Sequence, residues 1–279
     1  MHPAIHKNAS QAHAQGGLGP LMRYWRGMRG KSQLDVSLDT GISQRHISFI
    51  ESGRSTPSRQ TLLDIAQALD VPFRERNALL QSAGYAAMYS ESPLEALETQ
   101  GLRKALHRIL NQHAPFPAVV MDRYWNVLLA NDFSSRFFNH FVDMSARTSP
   151  RNMLHLMFDP DGMRPFIVDW EQTARSLIER VHRESVGRAI DDKTNELLRS
   201  LHAYPNAGRE WTARSPAVGP PHSPVITLSF AKDEVVMNYF SMITTVGTPQ
   251  TISAQELRIE SMFPADDATE MRHIQMLGH

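Results

Sequence analysis

The sequence predicts a multidomain protein, with an all-α N-terminal domain of five short helices ahead of an α+β domain built on an antiparallel sheet. Three observations carry this. Between residues 18 and 85 the apolar spacing is helical, and Pro, Ser and Gly interrupt it where helices start and stop. From residue 117 onward, short alternating runs of β-branched and aromatic residues appear and later return. Finally, 279 residues, 41% of them hydrophobic, are enough for two separate cores.

Taken in order, residues 1–17 are rich in Ala, Gln, His and Gly and read as a flexible tail. A first helix covers "PLMRYWRGMR". A second begins at Ser32, whose hydroxyl can cap it, and stops at Gly41. A third starts at the cap Ser43 and ends at Gly53. A fourth, "SRQTLLDIAQALD", follows Pro57 with Ser58 as its cap, and a fifth runs from Pro72 to near Gly84. Residues 86–101 read as a linker into the helix "GLRKALHRILNQH".

"PAVVMDRYWNVLLAN" (117–131) reads as two strands about a tight turn at Asp122–Arg123. In the second, Trp125, Val127 and Leu129 alternate with Tyr124, Asn126 and Leu128. Both faces are fairly apolar, which predicts cover on both sides. Helices fill about 132–203. After a Pro/Gly-rich loop (215–224), "VITLSFA", "EVVMNYFSMITTVG" and "ELRIESMF" supply three more strands. These close one antiparallel sheet with helices on one face. Residues 265–279 read as a second tail, leaving 102–264 as the second domain.

The stretch "GISQRHISFIESGRSTPS" (41–58) poses a chemical question, because Gln44 and Arg45 stand side by side in the first turn of the third helix. At about 100° per residue, Ile47 and Ile50 face the core while Gln44, Arg45 and Ser48 face outward. Two short helices joined through "DTGIS" make a helix-turn-helix, whose second helix enters a major groove by its N-terminal residues. Arg pairs bidentately with guanine and Gln with adenine, so the two side chains cluster at the tip that reaches bases. His46 turns toward the packing side and reads as a partly buried spacer or a phosphate contact, not a base reader. Charge agrees: residues 1–90 hold ten Lys/Arg against six Asp/Glu, and residues 91–279 nineteen against twenty-three, so the front is the half suited to a polyanion.

"SQLDVSLDTGISQRHISFIESGRSTPSRQTLLDIAQALDVP" resembles the Cro/C1-type (XRE) helix-turn-helix, a lambda-repressor-like fold. The resemblance rests on Gln33 at the start of helix two, Gly41 in the turn, Gln44 opening helix three and the "IESG" that closes it. Ser37 stands where that family usually has Ala. The resemblance implies double-stranded operator DNA as partner and phosphate contacts from Gln33 and from Arg54, Ser55 and Arg59. The candidate DNA contacts are thus Gln33, Ser43, Gln44, Arg45, Ser48, Arg54, Ser55 and Arg59.

"LRKALHRILNQHAPFPAVVMDRYWNVLLAN", "NMLHLMFDPDGMRPFIVDWEQTA" and "VGTPQTISAQELRIESMFPAD" are similar to the C-terminal domain of MmyB-like regulators. That implies a PAS-like domain for a small apolar, fatty-acid-like ligand. "PPHSPVITLSF" departs from the signature many members carry near the third strand. Phe133, Phe137, Phe138 and Phe141 share one helix face, and fourteen methionines suit an adaptable apolar interior. The candidate ligand contacts are Trp125, Asn131, Phe137, Phe138, Phe141 and Trp170, with Asn131 better suited to cap the helix that follows it. Trp125, Trp170 and Trp211 suit core or rim better than ligand contact.

Enzyme motifs are absent: there is no G-x-S-x-G, P-loop, complete G-x-G-x-x-G or H-E-x-x-H. With no cysteine there is no disulfide or thiolate metal site, and His2 and His6 fall in the tail. The expectation is a cytoplasmic, homodimeric, one-component regulator that needs no metal or cofactor and meets no membrane. The competing reading makes the second domain a dimerisation or partner-docking module.

Overall fold

A computed structural model describes residues 17–96, 99–147, 151–186, 191–205 and 227–277. The first tail, the loop 215–224, Trp211 and most of "PPHSPVITLSF" lie outside the described residues. The chain divides into two compact units, which are the described parts of 1–91 with 182–192 and 249–255, and those of the remainder.

The first unit has five helices, α1 (Leu18–Met28), α2 (Gln33–Thr40), α3 (Gln44–Glu51), α4 (Arg59–Ala68) and α5 (Phe73–Ser82). Their starts are set by side chains. Ser32 forms a reciprocal capping box with Asp35, Ser43 accepts from the His46 amide at 3.3 Å, and Ser58 accepts from the Thr61 amide at 3.1 Å. Gly41 ends α2 at φ +71°, a left-handed conformation that turns the chain straight into α3. Trp25, Val36, Ile47, Ile50, Leu62 and Leu80 fill the core. Each such burial removes roughly 1.5–3 kcal/mol of apolar exposure. At Gly19 a Cβ would sit 2.3 Å from the Glu51 carbonyl oxygen, so only glycine lets the start of α1 abut the end of α3.

The second unit is an antiparallel five-stranded sheet of order β2-β1-β5-β4-β3, the α+β PAS-like arrangement expected. Its strands are β1 (Ala118–Met121), β2 (Val127–Ala130), β3 (Leu228–Lys232), β4 (Val235–Thr244) and β5 (Arg258–Pro264). The helices along this part of the chain are α6 (Gln100–Gln112), α7 (Asp132–Phe141), α8 (Met153–Phe158), α9 (Trp170–Val186), α10 (Asp192–His202), the short α11 (Ile252–Glu256) and α12 (Asp267–Leu277), of which the end of α9 and most of α11 belong to the first unit.

Four expectations are corrected here. First, helices cover both faces of the sheet. Ala118 and Val120 of β1 pack with Leu106 and Leu110 of α6, while Val119 and Met121 point into the larger core of α7 to α10. Second, it is β1 that is buried on both sides. β2 is an edge strand with Leu128 and Ala130 exposed. Third, Trp125 precedes β2 in the turn, at φ +68°. There the Asp122 carboxylate accepts from the Tyr124 and Asn126 amides at 2.8 and 3.0 Å.

The fourth correction concerns residues 265–279, whose described part contains α12 instead of a loose tail. Thr269 and His273 are fully buried in it, and the Tyr239 hydroxyl bonds His273 Nδ1 at 2.8 Å. Polar residues between the few apolar ones hid this helix, because two of its anchors are hydrogen bonds and not apolar contacts.

Candidate nucleic-acid interface and ligand cavity

In the first unit the sequence-predicted residues flank α3, with Gln44 and Arg45 in its first turn and Arg54, Ser55 and Arg59 beyond its last residue. Gln44, Arg45, Arg54 and Arg59 are exposed, and Ser48 and Ser55 are half-buried beside them. Ser43 is exposed with its oxygen engaged as the cap. His46 is partly buried, with an Nε2 that finds no protein partner among the described residues.

Phe49 organises the cluster, and sequence reasoning did not single it out. The Arg45 guanidinium lies 5.2 Å and the Arg54 guanidinium 5.9 Å from its ring centre. Two cations resting on one ring lose less freedom when they meet an anion than two free arginines would. The loop after α3 is fixed as well, since the Arg54 and Ser55 amides both donate to the Phe49 carbonyl, at 2.8 and 3.2 Å.

Behind this surface lies Glu51, the acid of "IESG", only 4% exposed. Arg26 grips its carboxylate bidentately, Nε to Oε1 at 2.7 Å and Nη2 to Oε2 at 3.0 Å. Gln33 donates to the same group at 2.8 Å. One N–H of the Gln33 amide is therefore committed to holding α2 against α3, which leaves its second N–H and its carbonyl oxygen for other contacts.

In the second unit a cavity of about 410 Å³ opens between β1, β2, α7 and the chain around α8. Val119, Val127, Phe138, Met144, Met153 and Leu156 make its apolar wall, and Ser135, Arg147, Arg151 and His155 its polar part. A smaller apolar cavity of about 80 Å³ lies next to it, lined among others by Trp125, Met157 and Tyr239. The two share Val119, Phe138 and Met153, which form the partition between them.

Of the predicted ligand contacts, Phe138 lines both cavities and Trp125 the smaller. Phe137 and Phe141 are core residues outside both walls. Trp170 also lies outside them, packed on Phe158 and under the Arg164 guanidinium. Asn131 is fully occupied. Its oxygen accepts from the Ser134 amide and hydroxyl and the Ala118 amide, and its nitrogen donates to the Leu110 and Phe116 carbonyls. It is a cap and a junction, with no capacity left for a ligand.

Sequence reasoning missed the polar part. Arg147 is ion-paired with Asp159. Arg151 is exposed, with only a long 3.5 Å approach to the Met144 carbonyl. His155 contacts the Tyr204 hydroxyl through Nδ1 at 3.0 Å and the Ser200 hydroxyl through Nε2 at 3.4 Å. Burial lowers its pKa, and the nearby Asp159 opposes that shift. Ser200 donates its own proton to the Leu197 carbonyl at 2.7 Å. Nε2–H must therefore donate to Ser200, and Nδ1 accept from Tyr204, so the imidazole cannot act as a base on that serine. Among the described residues no group of three His, Asp or Glu could hold a metal, and no helix is long and apolar enough to cross a membrane.

Comparison with protein families fits both sites. A helix-turn-helix profile matches residues 22–76. The profile of the MmyB-like transcription regulator ligand binding domain matches residues 102–274, more than half of the chain. The chain belongs to the MmyB-like transcription regulators. No curated protein matches it. This MmyB-like regulator is thus a DNA-binding transcription regulator with a ligand-binding domain, and its matched domains are not those of an enzyme family.

Proposed function

We propose that this regulator reads operator DNA with the tip of α3 and adjusts that binding to an amphipathic, fatty-acid-like metabolite held in the larger cavity. The single observation behind the ligand class is the make-up of that cavity. An apolar wall able to hold a chain is edged by Arg151, an exposed cation with little to bond, and by Arg147. Its volume suits a small molecule, and an acid head group with an apolar body satisfies both parts. Movement of Phe138 and the flexible Met153 would join the two cavities for a longer body.

On the DNA side, Gln44 and Arg45 are the base readers, with Ser48 beside them. Gln33, Ser43, Arg54, Ser55 and Arg59 hold phosphates. A single module of this size reads few base pairs, so the protein works as a cytoplasmic homodimer on two half-sites about one helical turn apart. The domains run from 18 to 85 and from 102 to the end of α12. Ligand control requires that the metabolite bind the DNA-competent and incompetent states with different affinity.

Selection of duplexes from a random library by the full-length protein tests this reading. The expected outcome is a two-fold symmetric site at which Arg45→Ala relaxes one base pair per half. Selection of unrelated sequences would reject it. The competing docking-module reading draws on Met271, Ile274 and Met276 of α12, all exposed. It requires that no small molecule alter DNA affinity.

A further inference from the structure

Helix α6 carries a face that neither the cavity nor the core uses. Its buried side is Leu106 and Leu110, set against β1. Arg103, Lys104, His107 and Arg108 are all exposed. At about 100° per residue they lie on one arc of about 140°, which begins at Arg103 beside Leu110 and ends at Arg108 nearly opposite it. Gln100 and Asn111, also exposed, add two neutral donors to the same arc.

Electrostatics sets this face apart. No Asp or Glu occurs from Thr99 to Met121. Elsewhere in the unit some arginines are paired with acids: Arg123 with Glu256, Arg147 with Asp159 and Arg180 with Glu260. The four α6 residues have no such partner among the described residues. Residues 91–279 are acidic as a whole, so α6 places an acid-free run of positive charge within an otherwise negative half. A solvated face normally mixes both signs, and an acid-free basic arc is the footprint of a polyanion.

We propose that the basic face of α6 binds the phosphate backbone of duplex DNA outside the segment read by α3. The proposal rests on the DNA-binding assignment of the first unit. DNA is the favoured polyanion because the chain already binds it, and because α6 is the first helix after that unit, tethered through residues 83–99. The tether raises the effective concentration of α6 at any duplex held by α3. Such contacts carry no sequence information; they add affinity and salt dependence.

The test uses the full-length protein and a labelled 40-bp duplex of arbitrary sequence, titrated between about 50 and 200 mM salt. Wild type is compared with Arg103→Gln/Lys104→Gln/Arg108→Gln, with Arg103→Lys/Arg108→Lys, and with Arg45→Gln/Arg54→Gln. The expected result for the triple variant is a log–log salt slope shallower by about 2–3, and affinity at least about tenfold weaker at low salt. The lysine variant should keep the wild-type slope, which separates charge from fold. A triple variant with wild-type slope and affinity overturns the proposal and leaves the face to an acidic protein. If Arg45→Gln/Arg54→Gln weakens binding while the triple variant does not, only the α6 proposal fails. A wild-type protein that binds no duplex removes the DNA-binding reading and this one together.

Discussion

Asn131 and Gln44 are both amides beside the start of a helix, and the two units use them in opposite ways. Asn131 is 5% exposed and bonds its own chain through both ends of its amide. Gln44 is exposed at the end of α3, and its neighbour Arg45 rests on Phe49. In the second unit, polar groups beside the cavity mostly complete the architecture, as Asn152 does through the Leu154 and His155 amides and the Tyr124 carbonyl. In the first, the polar groups at the tip are held in place by a ring and a turn and are left open. The difference lies in whether donors and acceptors are already spent, and polar composition alone does not report it.

The sharpest way to break this comparison is to truncate one polar side chain in each unit. Asn131→Ala should cost about 3 kcal/mol of stability, because it strands several buried backbone groups. It should leave DNA affinity per folded molecule unchanged. Denaturant unfolding alongside DNA titration measures both. Arg45→Ala should do the reverse, losing about 1–3 kcal/mol at the selected site while stability moves by no more than about 0.5 kcal/mol. Destabilisation by Arg45→Ala would mean that the tip is structural after all.

Within the cavity, Arg151→Gln should weaken binding of an anionic amphiphile by about 1.5 kcal/mol, roughly tenfold. Binding of the corresponding neutral alcohol should be unaffected, as titration calorimetry with each would show. Buried histidines sharpen the contrast further. Burial lowers the pKa of His155 and of His273, the latter opposed by its bond to the Pro115 carbonyl. The folded state then binds fewer protons than the unfolded one below the ordinary value of 6.5, so stability falls as pH drops through that value. Melting curves from pH 7.5 to 5.5 should show this, with a smaller slope in His273→Gln. The smallest effect belongs to Phe49→Leu, about 0.5–1 kcal/mol of DNA affinity, equal on all sequences if the ring only positions Arg45 and Arg54.

The DNA-reading end was legible in the sequence because its residues are contiguous. Caps at Ser32, Ser43 and Ser58, the turn at Gly41 and the exposed pair Gln44–Arg45 all lie within 32–58, so local rules place them. The order of the strands in the second unit was legible too, from alternation and length, whereas α12 was not. Nor was the cavity. Its walls come from β1, β2, α7 and α8, and its arginines sit in a connecting segment with no periodicity to mark them. The aromatic residues that stood out, Phe137 and Phe141, stood out because they are core. Phe49 was hidden in a different way: Arg45 lies one turn before it on α3, but Arg54 closes on the ring only after the chain turns at Gly53.

The account stands or falls on whether the larger cavity holds a molecule. The most direct measurement is to denature the purified full-length protein and identify by mass spectrometry what small molecules it releases, beside an Ala130→Trp variant that places an indole in the cavity wall. Ala130 is exposed on the edge strand, so the fold should tolerate the change. The account expects an acid with an apolar body from the wild type, at about one per chain, and its loss from the variant. The same release from both proteins, or none from either, would contradict a ligand in this cavity.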